Sequence, residues 1–404
     1  MEQHRRRQSA LPPFYRLDPL APILFVTLIF FLTFIARVMF SPLMPRIESE
    51  MGFRHAQAGS LFLVTSLGYF IALLGSGFIS ARIRHRRTIV LAACGTGIAL
   101  LLIAISTQFW QLRASAFLLG LAAGIYLPSG ITTLTSMVDS RNWGKAVSIH
   151  ELAPNLAFVS APVIAEIFLF HFTWRTMPAT VGVISILAGL LFAVRAKGGD
   201  FPGKPPGMEA IRVLASNRSF WIMILLFALA ISSTMGVYTM LPLYLVNELD
   251  VSRSFTNSLV GFSRLPGLGM ALISGWAVDR FGPRRTITVM LGLTGITTIL
   301  LGACSKPEIA TALVIIQAGL STGYFPAGFP LLSALVPPAH RNVAVSLAIP
   351  IAFVYGGGIV PTIIGTAGDA GSFGAGIMLV GLLICAGAVM PVFLKTAHPD
   401  NNSV

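Results

Sequence analysis

The amino-acid sequence predicts an all-α integral membrane protein in which twelve transmembrane helices form two similar six-helix halves. Three observations support this prediction: an apolar composition, a regular series of apolar runs, and an internal repeat. Of the 404 residues, 55% are hydrophobic and only 11% are charged, and the mean hydropathy is +0.80. A soluble domain carries about 25% charged residues, so most side chains here are expected to lie in a bilayer.

Twelve apolar runs divide the chain, each close to the ~20 residues that a spanning helix needs. They cover, roughly, 20–44, 56–80, 88–107, 112–136, 146–169, 177–194, 220–246, 256–278, 286–304, 309–335, 343–366 and 373–394. The predicted domains are a tail at 1–19, a six-helix bundle at 20–194, a linker at 195–219, a second bundle at 220–395 and a tail at 396–404. The linker contains MEAIRVLASN, which is predicted to lie as a short amphipathic helix along the membrane surface.

The basic residues predict how the chain is oriented in the membrane. Twenty of the 28 Lys and Arg residues fall in segments on the side of the N-terminus, six fall on the opposite side, and two lie within spans. The positive-inside rule therefore places both termini in the cytoplasm. Because the basic residues follow the topology in this way, the net charge of +13 does not indicate nucleic-acid binding.

An internal repeat relates the two halves. Residues 86–89 and 284–287 both read Arg-Arg-Thr-Ile, 126–130 and 324–328 both read Tyr-x-Pro-x-Gly, and 146–148 and 344–346 both read Ala-Val-Ser. Each pair is separated by the same 198 positions (86 to 284, 126 to 324, 146 to 344). Since six spans is an even number, the halves insert in the same orientation, and a substrate site is expected between them near mid-membrane.

Two loops carry a recognisable motif. Residues 275–285 read GWAVDRFGPRR, which closely resembles the signature of the loop between helices 8 and 9 in the major facilitator superfamily. The N-terminal copy at 77–87 has Ala81 where the family usually has aspartate, and Trp174-Arg175 after span 5 also resembles the family. The resemblance implies a secondary transporter of the cell (inner or plasma) membrane that works by alternating access, usually as a monomer.

The motif also predicts gating residues. Asp279 can pair with the partner half and lock the cytoplasmic side, while the arginines hold the loop at the anionic inner leaflet. The alternative is that these residues only anchor the topology. The expected motif residues are Gly275, Asp279, Arg280, Gly282, Arg284 and Arg285, with Arg82, Arg86 and Arg87 in the N-terminal copy.

Two arginines within spans are the strongest candidates for substrate contact. Arg37 in span 1 and Arg264 in span 8 are placed at similar depth by residue counting. A charge at mid-bilayer costs about 2.5–3.5 kcal/mol, and two guanidinium groups in one cavity repel unless an anion lies between them. The pattern Arg37-x7-Pro45 resembles that of organic-phosphate exchangers and organic-anion symporters, and an arginine in helix 8 is similar to that of nitrate and monocarboxylate carriers. The alternative is a structural arginine paired with Glu151 or backbone carbonyls.

His150 and Glu151, near the inner end of span 5, are the candidate proton carriers, because both residue types exchange protons with water. Their alternative role is to clamp span 5 to its neighbours. Glu166, near the outer end of span 5, is expected to reach water. Four further polar residues are predicted to face the substrate or, alternatively, to pack between helices. They are Asn155, Tyr126, Tyr238 and Tyr324.

The leading hypothesis is proton-coupled symport of a small organic anion. The expected partners are this small molecule, protons and the lipid bilayer, with no cofactor, metal or nucleic acid. The chain is not expected to be an enzyme, since it has no nucleotide-binding, metalloprotease or nucleophile-elbow motif. The competing hypothesis is a drug/proton antiporter that exports amphipathic compounds, although Ala161-Pro162 stands without the glycines that are usual in span 5 of such exporters. A lipid flippase or a membrane sensor is the second alternative.

Overall fold

The computed structural model describes residues 17–196, 198–203, 208–337 and 340–394, and this part of the chain is helical with no strand. Most of the predicted tails, 1–16 and 395–404, lie outside these residues. Within the described residues, ten helices are long and apolar enough to cross a membrane. One of them, His55–Ala104, is 50 residues long and turns at Arg84, so it supplies two spans. A broken helix between Arg253 and Phe281 completes the predicted twelve.

The helix bounds follow the predicted series. In the N-terminal half they are Leu17–Val38 with Phe40–Met51 (span 1), His55–Ala104 (spans 2 and 3), Phe109–Gly124 with Tyr126–Ser136 (span 4), Trp143–His150 with Leu152–His171 (span 5) and Thr176–Arg195 (span 6). In the C-terminal half they are Arg218–Ile231, Ser232–Val237 and Tyr238–Asn247 (span 7), Arg253–Phe262 with Pro266–Phe281 (span 8), Pro283–Gly302 (span 9), Pro307–Ser321, Thr322–Tyr324 and Phe325–Ala334 (span 10), Arg341–Val354, Tyr355–Ile359 and Val360–Asp369 (span 11), and Phe373–Gly387 with Met390–Phe393 (span 12).

Spans 1 and 8 differ from the sequence prediction in ways that affect the site. Span 1 continues to Met51 instead of ending near residue 44, because its polar last turns find partners: Glu48 lies 2.6 Å from the His55 ring, and Glu50 pairs with Arg175. Span 8 was predicted as one helix but is interrupted between Phe262 and Pro266. A proline has no N–H to continue the helical hydrogen bonds, so the chain turns just before it.

The internal repeat is visible in the packing. Tyr126 and its mate Tyr324 each lie over the glycine four residues later, and a Cβ on Gly130 or Gly328 would come within 3 Å of the ring. The Tyr-x-Pro-x-Gly motif therefore makes room for a buried tyrosine in each half.

Equivalent motif arginines make equivalent hydrogen bonds in the two halves. Arg86 donates to the Ala193 carbonyl at the end of span 6 (2.8 Å), and its mate Arg284 donates to the Leu394 carbonyl at the end of span 12 (2.7 Å). In each half, this arginine satisfies a carbonyl left free where the last helix ends.

The linker is bound to the loop between spans 2 and 3. The backbone N–H groups of His85 and Arg86 donate to the carbonyls of Phe201 and Gly199, at 3.2 and 2.8 Å. Asp200 accepts from Arg84 at 2.8 Å. This hydrogen bond holds the pKa of the Asp200 carboxyl below its usual range, so the group stays ionised at neutral pH. A linker carboxylate thus pairs with the motif copy that has Ala81 in place of aspartate.

The two halves meet at one end of the bundle, which we call the outer end; the inner end is the one that holds Leu17 and Leu394. At the outer end of spans 2 and 11, a Cβ on Gly59 would lie 2.4 Å from the Pro361 carbonyl oxygen. A Cβ on Gly365 would lie 2.3 Å from the carbonyl oxygen of His55. These helices therefore touch backbone to backbone, and the outer end is closed.

The halves separate toward the inner end. The polar residues Glu151, Asn155 and Glu166 lie on one face of span 5 by their spacing. Of these three, Glu166 at the outer end is the one that contacts span 8. Asn155 and Glu151 are exposed, and Leu272 on the inner part of span 8 is 79% exposed. The cleft between the halves is therefore open at the inner end.

Candidate functional site

Arg37 lies in the last turn of Leu17–Val38, two residues before Met39, where span 1 is interrupted. Its guanidinium carbon stands 4.8 Å from the centre of the Phe34 ring and 4.3 Å from that of the Tyr69 ring. Its Nε is buried without a hydrogen-bond partner. The positive charge is therefore held mainly by ring faces, which attract a cation more weakly than a carboxylate does.

Arg264 is held in the interruption of span 8. One of its terminal nitrogens donates at 2.5 Å to the Thr234 carbonyl, in the π-helical turn Ser232–Val237 of span 7. A π-helical turn displaces backbone carbonyls from the regular helical pattern, which makes such a carbonyl available to a side chain. The guanidinium carbon also stands 4.6 Å from the Phe158 ring centre and 4.2 Å from that of Tyr238. Like that of Arg37, its Nε is buried without a partner.

One aromatic pair joins the two arginines across the halves. The Phe34 and Phe158 rings meet edge to face, with centroids 5.2 Å apart, and Phe158 meets Tyr238 in the same way at 5.1 Å. We call these six residues the arginine–aromatic cluster. They are Arg37, Phe34 and Tyr69 with Phe158 from the N-terminal half, and Arg264 and Tyr238 from the C-terminal half.

The arginine–aromatic cluster holds two positive charges without a counter-charge. Among the carboxylates that the structure describes, none lies within 4 Å of either guanidinium group. The predicted alternative of a pair with Glu151 is therefore absent from this conformation, whereas the alternative of a backbone carbonyl applies to Arg264. Two unsatisfied Nε donors in a site of low polarity are favourable positions for an anion.

A narrow cavity lies beside Arg37 at the boundary of the halves. Spans 1 and 2 line it on one side, and Met235, Thr239, Phe353 and Gly357 of spans 7 and 11 line it on the other. Its volume is about 30 Å³, which is room for no more than a few water molecules. An organic molecule therefore needs further separation of the halves before it can contact Arg37.

His150 is fully buried and contacts the aromatic rings of Phe30 and Tyr126. Its ring stacks on Phe30 with centroids 4.2 Å apart and planes 7° apart. Its Nε2 lies 3.0 Å from the Tyr126 hydroxyl, and that hydroxyl donates to the Val26 carbonyl at 2.7 Å. Since the tyrosine has a single proton, the bonding pattern assigns a proton to His150 Nε2, which donates to the tyrosine.

The other ring nitrogen of His150 faces Glu151. The Nδ1 atom lies 3.5 Å from Glu151 Oε1 and has no hydrogen-bond partner. A neutral ring that is protonated on Nε2 presents a lone pair at Nδ1, so two acceptors oppose each other unless one more proton lies between them. The Glu151 side chain is half exposed, so this position is open to exchange with water.

The remaining predicted site residues lie apart from the arginine–aromatic cluster. Asn155 is exposed and donates to the Glu151 carbonyl at 3.1 Å, and Tyr126 belongs to the His150 group. Tyr324 is buried within the C-terminal half against Phe227, with its hydroxyl unpaired. Of the four polar candidates, Tyr238 alone belongs to the cluster.

The predicted gating loop lies at the inner end. Gly282 adopts φ +81° at the turn between spans 8 and 9, and Arg284 binds the end of span 12. Asp279 is exposed and has no ion pair among the described residues. Its role as a lock stays a prediction for a conformation in which the inner end is closed.

Sequence reasoning missed the aromatic members of the cluster. Phe34, Tyr69 and Phe158 read as ordinary apolar residues within their spans. A signal existed for one of them, since Phe34 lies three residues before Arg37 and shares its helix face. The contact of Phe158 with Arg264 crosses the halves and depends on tertiary packing.

Comparisons with known proteins agree with this architecture. The sequence profile of the Major Facilitator Superfamily matches residues 26–301 and 247–404. The chain is 23% identical to the multidrug resistance protein MdtL of Klebsiella pneumoniae (strain 342), over 88% of this chain and 90% of that protein. It is also 23% identical to MdtL of Salmonella typhimurium, over 89% and 90%.

Solved structures show the same fold. A bacterial homologue of the human lysosomal transporter Spinster, in an inward-facing and unoccupied conformation, matches with a TM-score of 0.76 at 17% identity, over 94% of this chain and 96% of that one. Its inward-facing, occupied form matches with a TM-score of 0.72 over the same shares. Taken with the twelve spans and the repeated motif loop, these matches show that the chain is a multi-pass membrane transporter of the major facilitator superfamily.

Proposed function

We propose that the protein carries an organic anion, which binds between Arg37 and Arg264. The single observation that supports this most is the presence of two guanidinium groups, one from each half, with no carboxylate within 4 Å among the described residues. Arginine stays charged at any physiological pH. A cargo with a carboxylate or a similar group would supply the missing negative charge.

The aromatic rings favour the same sign of charge. An organic cation is usually held by the open faces of Phe, Tyr or Trp, but in this cluster the arginines already lie over the rings of Phe34, Tyr69, Phe158 and Tyr238. A cationic cargo would therefore meet two like charges. An anion with an apolar body would meet the arginines and the ring edges.

We infer that transport is coupled to protons through His150 and Glu151. Three features support this coupling: the gap between Nδ1 and Oε1, the exposed position of Glu151, and the hydrogen bond from His150 to Tyr126. A proton that enters from the inner cleft would lie between His150 Nδ1 and the Glu151 carboxylate. It would neutralise the charge of this carboxylate, which lies on the same face of span 5 as Asn155. We further propose that both termini are cytoplasmic, so that the open cleft faces the cytoplasm.

A second candidate function is drug/proton antiport, which the names of the MdtL relatives favour. The two candidates differ in the cargo and in its direction. Anion symport moves an anion inward with a proton, whereas export of amphipathic compounds moves them outward against a proton.

Counterflow in proteoliposomes tests the proposal. Liposomes that contain the purified protein would be loaded with unlabelled mono- and dicarboxylates or phosphate esters, and entry of the matching radiolabelled compound would be followed. We expect entry with at least one organic anion and loss of that entry in Arg37→Ala. Entry of ethidium alone, unaffected by Arg37→Ala, would instead support the exporter. Liposomes without protein provide the background.

A further inference from the structure

We propose that Glu166 and Asp369 are two carboxylate locks that hold the outer end closed, and that each acts on a helix start which the internal repeat relates to the other. The proposal concerns how the transporter changes conformation, and it applies whatever the cargo. The reason is that each of these two carboxylates binds groups that belong to the opposite half.

The first lock joins span 5 to span 8. Arg253 binds both carboxylate oxygens of Glu166, through Nη2 at 3.2 Å and Nε at 3.3 Å. Asn257, one turn further along span 8, donates to the same carboxylate at 2.9 Å. Asn257 is fully buried. Glu166 was expected to reach water, but these contacts make it a partly buried member of the interface between the halves.

The second lock joins span 11 to span 2. Asp369, the last residue of its helix, accepts from the backbone N–H groups of His55 at 2.8 Å and Ala56 at 3.1 Å. The first N–H groups of a helix have no partner within it, and a carboxylate there is further stabilised by the helix dipole. Asp369 therefore caps a helix of the opposite half. The His55 side chain is also held, by Glu48 at 2.6 Å.

The two locks are related by the internal repeat. His55 begins the helix of span 2 and Arg253 begins that of span 8, and the two residues are 198 positions apart (55 to 253). Each receives a carboxylate from the opposite half, and the helices that supply it, spans 11 and 5, are also repeat mates. The contacts differ in chemistry, because Glu166 binds the Arg253 side chain and Asp369 binds backbone N–H groups. In both, a carboxylate of one half holds the start of a helix of the other half.

Two other carboxylates at the outer end make contacts within one half only, in contrast to Glu166 and Asp369. Glu50 pairs with Arg175 within the N-terminal half, and Glu248 accepts from Ser372 and Gly374 within the C-terminal half. These contacts persist when the halves move as rigid bodies. The contacts of Glu166 and Asp369 all cross the interface, so each must break when the outer end opens.

The distance between spin labels on the two halves tests the proposal. Labels at Thr173→Cys and Ser254→Cys, in a background with Cys94, Cys304 and Cys385 changed to Ser, would report the outer separation without cargo. We expect Glu166→Gln and Asp369→Ala each to raise the ratio of outer-open to outer-closed molecules about tenfold, on the scale of one lost cap or charged hydrogen bond. The matched control is Glu50→Gln, which breaks an ion pair within one half and should leave the distribution unchanged.

Exchanging the two charged residues of the first lock distinguishes the loss of the ion pair from misfolding. The double variant Glu166→Arg with Arg253→Glu keeps an ion pair across the interface and should restore the closed distribution. Unchanged distances in both single variants would overturn the proposal, as would an equal shift in Glu50→Gln. Because the distances are measured without cargo, this result is independent of whether the cargo is an anion.

Discussion

Arg37 on span 1 and Arg264 on span 8 lie against two rings, Phe34 and Phe158, that touch each other at the boundary between the halves. Each half thus supplies one guanidinium group to a shared site. A relative movement of the halves changes the spacing of the two positive charges. In this way a rigid-body transition would alter the affinity for the proposed anion on the two sides of the membrane.

We expect lysine to replace neither arginine. Lysine keeps the positive charge but loses the flat group that lies on a ring and binds a carboxylate through two nitrogens. Arg37→Lys or Arg264→Lys should lower kcat/KM for the transported anion about tenfold, and alanine at either position about 100-fold or more. Initial rates of counterflow measure this. Arg113→Lys, at an exposed position, is the control; activity near that of the unchanged protein in both lysine variants would contradict the proposed contact.

Coupling to protons should depend on Glu151 and Tyr126. Glu151→Gln removes the carboxyl that faces His150 Nδ1, and Tyr126→Phe removes the acceptor of the His150 Nε2 proton. Both variants should still exchange labelled for unlabelled anion, yet lose accumulation driven by an imposed pH gradient. Tyr324→Phe is the matched control, because the hydroxyl of this repeat mate has no partner. Accumulation that survives in Glu151→Gln would assign the proton to another group.

A methyl group at Gly59 should keep the outer end from closing. The Cβ of Gly59→Ala would lie 2.4 Å from the Pro361 carbonyl oxygen, which is backbone and cannot rotate away. We expect faster labelling of Ser66→Cys, in the cavity between the halves, by a membrane-impermeant maleimide added outside. Gly75→Ala on the same helix points into open space and should leave the labelling rate unchanged. Equal labelling rates in the two variants would show that the contact between Gly59 and Pro361 does not control access to the cavity from outside.

The docked linker should be released by a side chain at Gly199. This residue adopts φ +75°, and a Cβ there would lie 2.7 Å from the Thr133 hydroxyl oxygen. Gly199→Val should therefore detach the linker from the loop between spans 2 and 3 and raise its rate of cleavage in limited proteolysis. Gly144→Val, where a Cβ meets open space, serves as the control. Resistance of the Gly199 variant equal to that of the control would mean that the docking contributes little.

The sequence predicted the architecture well because the bilayer imposes a simple rule on it. A spanning helix needs a long apolar run, and such runs, together with the 198-residue repeat, were enough for twelve spans and two halves. The same rule explains why Arg37 and Arg264 stood out, since a charge within an apolar run is costly.

The details of the site depended on packing that the sequence does not encode locally. The π-helical turn that offers the Thr234 carbonyl to Arg264 has no clear sequence signal. The partners of Glu166 and Asp369 also have no local sequence signal, because they lie 87 and more than 300 residues away along the chain. Glu166 and Asp369 meet their partners only where the two halves touch in this conformation, and a sequence does not show such contacts.

The sign of the cargo's charge is the central claim, and three compounds of nearly one shape test it most directly. Benzoate, benzamide and benzamidine carry a negative, a zero and a positive charge on the same ring. Their binding to the purified protein should be measured by titration calorimetry in the unchanged protein and in Arg37→Ala, because a binding measurement does not need the variant to transport. Benzoate should bind most tightly, benzamidine should bind least tightly, and the preference should disappear in the variant. Tighter binding of benzamidine than of benzoate would contradict the proposed charge of the cargo.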